Sequence, residues 1–302
     1  MALKGQVWSI DNAFIDTTIW AGKDIAVLLD NDETRSLNSP FFYLAVARDG
    51  DWLTGGDGNW NGLALATANY PLAQVLVIGP QGQVHITGSG DRHTESIIDE
   101  GFSPATLGLL RGAQTIDGFP FVCGMKKQVY KRVDAHRWEC ISKEIAGGAG
   151  VHGFEAIDGF SQTNIYAVGW NGEIWHYDGS SWHKKDSPSN SLLTEVCCAG
   201  NGAVYVLDRE QHLITGMGDS WKKEKTGLPV DLVSLCWFQD RLYAASTRDI
   251  FVLNDSSVFE PIAIPGDYPA TCGKLAQSGS LMASAGERDL FTFDGTNWTR
   301  ID

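Results

Sequence analysis

Histidine, cysteine and paired acids are the groups in this sequence able to hold a metal or drive a reaction, and their spacing speaks against both. The seven histidines (His85, His93, His136, His152, His176, His183 and His212) show no two at a metal-ligand spacing. His176 and His183 are near one another but fall on different expected strands, so no metal ligands are assigned. Asp57-Gly58-Asn59-Trp60-Asn61-Gly62 resembles the first half of a calcium loop, whose twelfth position needs a bidentate acid. Here that position is Ala68, and a polar turn is the better reading. The six cysteines (Cys123, Cys140, Cys197, Cys198, Cys236 and Cys272) have no Cys-x-x-Cys spacing and several sit in apolar runs, as buried free thiols do in a reducing compartment.

Catalytic motifs are equally absent. There is no Gly-x-Ser-x-Gly elbow, phosphate-binding glycine loop or His-Glu-x-x-His. With 37 acidic residues a glycosidase-like carboxylate pair can always be imagined, so their number decides nothing. The arginines are dispersed and form no cluster for a substrate carboxylate. We therefore expect no catalytic residues, no cofactor and no enzyme. Short lysine clusters at Lys126-Lys127, Lys184-Lys185 and Lys222-Lys223 with Lys225 have the makings of an anion site. Two of them directly follow a tryptophan that closes a strand pair, where lysine commonly protects an outer strand from pairing with other chains.

The elements that must position these groups repeat. Residues 164–182 hold two short β-rich runs joined by Trp170-Asn171-Gly172 and closed by Asp178-Gly179 before Trp182. The closing aromatic recurs as Trp138, Trp182, Trp221, Phe259 and Trp298, at spacings of 44, 39, 38 and 39 residues. Apolar strand residues recur in step with it, namely Val129, Ile174, Leu213, Ile250 and Leu290, and before them Phe121, Ile165, Val204, Leu242 and Leu281. A further apolar run precedes each set, giving four strands per unit. The runs are short and broken by Gly, Asn and Asp, and they lack the three-and-four spacing of helical repeats. The composition agrees, with 34 Gly, 11 Trp, 13 Phe and 8 Tyr among 302 residues.

A period near 40 residues with four strands per unit predicts an all-β fold, a β-propeller of seven four-stranded blades, with six or eight left open. Residues 1–302 form one propeller domain in this reading, with blades near 1–64, 65–100, 101–142, 143–186, 187–225, 226–263 and 264–302. The first is irregular: residues 5–12 look like a strand of the repeat, 25–29 form another, and 42–48 and 51–55 follow across Asp49-Gly50. Ring closure is expected from the N-terminal segment lying against the last blade.

In the stretch 164–182, and again at Asp289-Leu290-Phe291-Thr292-Phe293-Asp294-Gly295-Thr296-Asn297-Trp298, the sequence resembles bacterial propeller repeats of the sialidase-like and photosystem-assembly-factor kind. The likeness implies a scaffold, with the Asp side chain capping the turn and the Trp packed between blades.

In a propeller the loops between second and third strands share one face. Here they are assigned as Arg48-Asp49-Gly50, Pro80-Gln81-Gly82, Met125-Lys126-Lys127, Trp170-Asn171-Gly172, Arg209-Glu210-Gln211, Thr247-Arg248 and Glu287-Arg288. The candidate contact residues are accordingly Arg48, Asp49, Gln81, Lys126, Trp170, Asn171, Arg209, Glu210, Arg248, Glu287 and Arg288. Trp170 stands out as an anchor, the alternative being that it folds back over its own blade. A net charge of −14 repels nucleic acid and favours a basic protein partner. Met1-Ala2-Leu3-Lys4-Gly5-Gln6 lacks a signal-peptide core and no run of eighteen apolar residues occurs, so a cytoplasmic protein without a membrane partner is expected. These readings point to a non-enzymatic propeller that binds one protein, an immunity-type inhibitor of a bacterial toxin in preference to an assembly scaffold. A lectin is the alternative, and a hydrolase with its site in the central funnel stands third.

Overall fold

The computed structural model describes residues 10–20, 22–148, 150–264 and 270–302. Among them, seven four-stranded antiparallel sheets follow one another along the chain, each with its strands in sequence order. The first blade comprises β1 (Asn12–Trp20), β2 (Asp24–Asn31), β3 (Phe42–Arg48) and β4 (Asp51–Gly58), with a short helix α1 (Asp32–Ser36) after β2. The second holds β5 (Ala64–Ala68), β6 (Gln74–Ile78), β7 (Gln83–Gly88) and β8 (Asp91–Ser96). A one-turn helix α2 (Pro104–Leu107) leads to the third, β9 (Leu110–Ile116), β10 (Phe119–Gly124), β11 (Val129–Asp134) and β12 (Arg137–Cys140). The fourth is β13 (Phe154–Ser161), β14 (Asn164–Gly169), β15 (Ile174–Tyr177) and β16 (Trp182–Lys185). The fifth is β17 (Leu193–Cys198), β18 (Val204–Asp208), β19 (His212–Met217) and β20 (Ser220–Lys225). The sixth is β21 (Ser234–Phe238), β22 (Arg241–Ala245), β23 (Ile250–Leu253) and β24 (Phe259–Ile262). The last is β25 (Lys274–Ser278), β26 (Leu281–Ala285), β27 (Leu290–Phe293) and β28 (Trp298–Arg300). This is the seven-bladed propeller expected from the repeat, with the first strands around a central channel.

The strand patterns follow from position in the blade. A second strand is covered on both faces by neighbouring blades, so β6 and β18 are buried at every residue and read as continuous apolar runs. The outer β20 alternates and carries three lysines. The apolar core is divided accordingly: seven clusters each join residues of two adjacent blades. The closing aromatics lie in these seams, always toward the preceding blade. Trp138 packs with the second blade, Trp182 with the third and Phe259 with the fifth. Asp178 Oδ1 accepts the amides of Ser180 and Ser181 at 2.8 and 2.9 Å, and Asp294 Oδ1 those of Thr296 and Asn297 at 2.8 and 2.7 Å. The turn-capping expected of these aspartates is therefore present.

Polar staples cross the same seams. The Leu65 amide donates to Asp16 at 2.7 Å, that of Cys198 to Asp158 at 2.7 Å and that of Leu275 to Ser234 at 3.1 Å, each joining a first strand to the next blade.

The first blade corrects the sequence reading. Its inner strands are β1 and β2, and a ten-residue segment containing α1 replaces the tight turn before β3. Residues 42–48 and 51–58 are therefore the third and fourth strands, one place later than their spacing suggested. The closing aromatic of this blade is Trp52, buried against Ala283, Ala285 and Leu290 of the last blade. Of the strand expected at residues 5–12, 5–9 lie outside the described residues.

The ring closes by contact, without an exchanged strand among the described residues. As expected, the start of β1 lies against the last blade: the Phe14 amide donates to Glu287 O at 3.1 Å. Arg288 bonds Asn12 O at 2.9 Å and reaches both carboxylate oxygens of Asp32 at 2.7 and 3.0 Å.

Candidate partner-binding face

In an antiparallel meander, turns leave alternately at the two ends of the strands. The loops between second and third strands therefore share one face with the connections between blades, and the remaining turns share the other. The first face carries Gln81, Lys126, Trp170, Asn171, Arg209, Glu210, Arg248, Glu287 and Arg288, all in loops of the assigned kind. Arg48 and Asp49 do not belong to it. Their turn joins β3 to β4 and lies on the opposite face, where Arg48 Nε meets Asp24 at 2.6 Å and Asp49 pairs with Lys23. Their place is taken by residues 32–41, whose Arg35 and Asp32 pair with Glu287 and Arg288.

The loops of the third and fourth blades are built alike. Lys126 has φ +55° and Asn171 φ +57°, each in a single 3₁₀ turn after a strand-ending glycine. Gly172 continues at φ +69°, and a Cβ there would strike the Ser189 backbone, so this turn admits little else. The conformation places Met125 and Trp170 at equivalent positions. The Met125 amide donates to Leu109 O at 2.9 Å and the Trp170 amide to Gly153 O at 3.2 Å.

Trp170 remains 39% exposed, and its pose is held from two sides. Its Nε1 donates to Glu155 Oε1 at 2.7 Å, and its ring stacks on His152 at 6.2 Å with an 11° interplanar angle. Glu155 in turn receives Arg111 at 2.8 Å. The indole leans on its own blade through these contacts yet keeps an open surface. Nothing in the spacing pointed to Glu155, Arg111 or His152, although aligning Trp170 with Met125 was within reach of the repeat.

Several other rim residues are tied down. Glu173 is pushed up by burial, but Lys127 at 2.7 Å, Lys184 at 2.8 Å and the Trp175 N–H outweigh this and bring it to about 2. Asp208 accepts the Glu210 and His212 amides at 2.9 and 3.0 Å and shapes the fifth loop. Gln81, Arg209, Glu210, Arg248 and Glu287 are exposed. Lys184, Lys185, Lys222 and Lys223 lie on outer strands, as the edge-protection reading required.

Among the described residues two groups bring three metal-type ligands together, His93, Glu95 and His136, and Asp208, Glu210 and His212. The His93 and His136 rings are 4.6 Å apart, a convergence between blades that sequence spacing does not show. In both groups the central carboxylate is taken by hydrogen bonds. Glu95 holds Arg132 at 2.7 and 3.0 Å, and Asp208 holds His212 at 3.1 Å.

The central channel encloses about 810 Å³ and is lined along the first strands, from their starts on this face to turns of the opposite one. Its walls carry Asp16, Glu155, Asp158 and Glu195 against Arg111 and Lys274. Confinement raises Asp16 and Glu195 and pushes Asp158 up to about 7, against the amides it accepts. Among the described residues no helix is long and apolar enough to cross a membrane.

No family model matches the chain. The immune protein Tsi7 of Pseudomonas aeruginosa is 36% identical over 280 residues, which cover 90% of this chain and 91% of that protein. Similar solved structures are propellers. Virginiamycin B lyase from Staphylococcus aureus has a TM-score of 0.67 at 9% identity, covering 97% of this chain and 96% of that one. YCF48 bound to D1 peptide has a TM-score of 0.68 at 12% identity, covering 98% and 97%. At such identities these two share the fold, and the scaffold resemblance drawn from the repeats holds.

Proposed function

The chain belongs to the family of the immune protein Tsi7, and from that premise we infer that it is a cytoplasmic, non-enzymatic inhibitor that neutralises a bacterial protein toxin by binding it. The observation that carries this reading is likeness to an immune protein along nine-tenths of the chain. The geometry supports the face of the second-to-third-strand loops as the contact surface. Its loops differ from blade to blade, which suits one asymmetric partner better than seven equal sites. Gln81, Lys126, Trp170, Asn171, Arg209, Glu210, Arg248, Glu287 and Arg288 lie there, whereas Arg48 and Asp49 lie on the far side and are set aside. A net charge of −14 would speed encounter with a basic partner.

The test is to look for a toxin gene beside this one and to co-express its product with this chain. Restored growth together with recovery of a complex of the two proteins is the expected result. Restored growth without any complex would overturn binding as the mechanism, and unrestored growth would overturn the function.

A further inference from the structure

Resting on that reading, we propose that the inner rim of the third and fourth blades receives a partner loop that carries a large apolar side chain beside a lysine or arginine. The apolar side chain lies on Trp170 and the cation enters the channel.

The surface is continuous. Leu109, 46% exposed, is bonded to Met125 through the backbone. Met125 abuts Gly153, Gly153 accepts the Trp170 amide, and His152 stacks on the indole. In the fifth to seventh blades the corresponding loops present Arg209, Glu210, Arg248 and Glu287 instead. Leu109 and Trp170 thus lie together in one sector, apart from Leu37 of the first-blade segment, and an aromatic group there makes a strong anchor. The hydrogen bond to Glu155 and the stack on His152 hold the indole in place before contact, so little side-chain freedom is lost on binding.

Charge identifies what sits beside the apolar anchor. Glu155 and Arg111 stand on the channel wall directly below Trp170 and neutralise one another at 2.8 Å. Deeper, Lys274 is 3.4 Å from Glu195 and its charge also acts on Asp16, while Asp158 faces no cation within ion-pair distance among the described residues and accepts the Gly159 and Cys198 amides. The channel wall is therefore rich in carboxylates, four against two cations, and an entering cation would draw the buried acids to their charged form in a confined space, where Coulomb attraction is stronger than at an open surface. A guanidinium or ammonium group supplies the missing charge, and the enclosed volume accommodates a long side chain.

The experiment measures binding of an inactivated form of the toxin identified by the co-expression test to the unchanged chain, Trp170→Ala, Glu195→Gln and Arg241→Ala, with thermal melts of each. Expected are a loss of about 30-fold for Trp170→Ala with an unchanged melting temperature, and of about three- to tenfold for Glu195→Gln, whose melting temperature falls because Lys274 loses its partner while the fold is kept. Arg241, exposed on the opposite face, should leave affinity unchanged. Full affinity in both Trp170→Ala and Glu195→Gln overturns the docking site while leaving the inhibitor reading intact. Failure of the unchanged chain to bind removes that reading itself. Sedimentation of the chain alone supplies the other arm, since a dimer abolished by Trp170→Ala would assign the ridge to a second copy of this chain.

Discussion

Glu95 carries five hydrogen bonds on its two oxygens, from Arg132, His93, Trp138 and the His136 amide, and joins β8 to the third blade. Burial alone would raise its pKa, but these donors outweigh burial and bring it from 4.5 to about 2. A folded-state pKa below the unfolded one stabilises above about 4.5, and that stability is lost as pH falls toward 2. The shift corresponds to about 3 kcal/mol. Glu95→Gln should cost a similar amount at neutral pH and flatten the acid limb of stability, as urea titrations across pH 2 to 6 would reveal. Equal stability of the two proteins at pH 7 would count against this account. None of it was legible in the sequence, because the donors from β11 and β12 stand 37 to 43 residues away and meet Glu95 only through blade packing. Trp170 was legible, since the repeat register alone places it in a loop. Its anchor Glu155 was not, because it lies on the preceding inner strand.

At the scale of elements, the blade period was readable because every seam demands the same apolar face and the same closing aromatic. The first blade broke the rhythm for a physical reason: α1 and the residues after it occupy the place of a three- or four-residue turn. In the second blade Arg92 stands on the outer strand where other blades carry an aromatic, and donates to Thr54 O at 3.0 Å across the seam. That seam could not be found by looking for tryptophan. The join between first and last blades includes Arg288, whose guanidinium lowers the pKa of Asp32. Both groups are about one-third exposed, so solvent screens the pair. Arg288→Met should cost about 1 kcal/mol, more at low salt than at high, and speed exchange of the Phe14 amide more than amides of the opposite blades. Uniformly faster exchange around the ring would show that Arg288 does not act on this seam in particular.

For the whole molecule, composition and period sufficed for the fold, while function was only partly accessible. Acidity and missing catalytic motifs narrowed the choice, but a binding face has no motif: it arises when loops about 40 residues apart converge at one end of the ring. Likeness to Tsi7 along nearly the full chain supplied what spacing could not. The central claim is that neutralisation is by occupancy, and stoichiometry tests it directly. Titrating the purified toxin with this protein while following toxin activity should give a linear loss that ends at one chain per toxin. Complete inactivation by far less than one equivalent would indicate turnover and contradict the account.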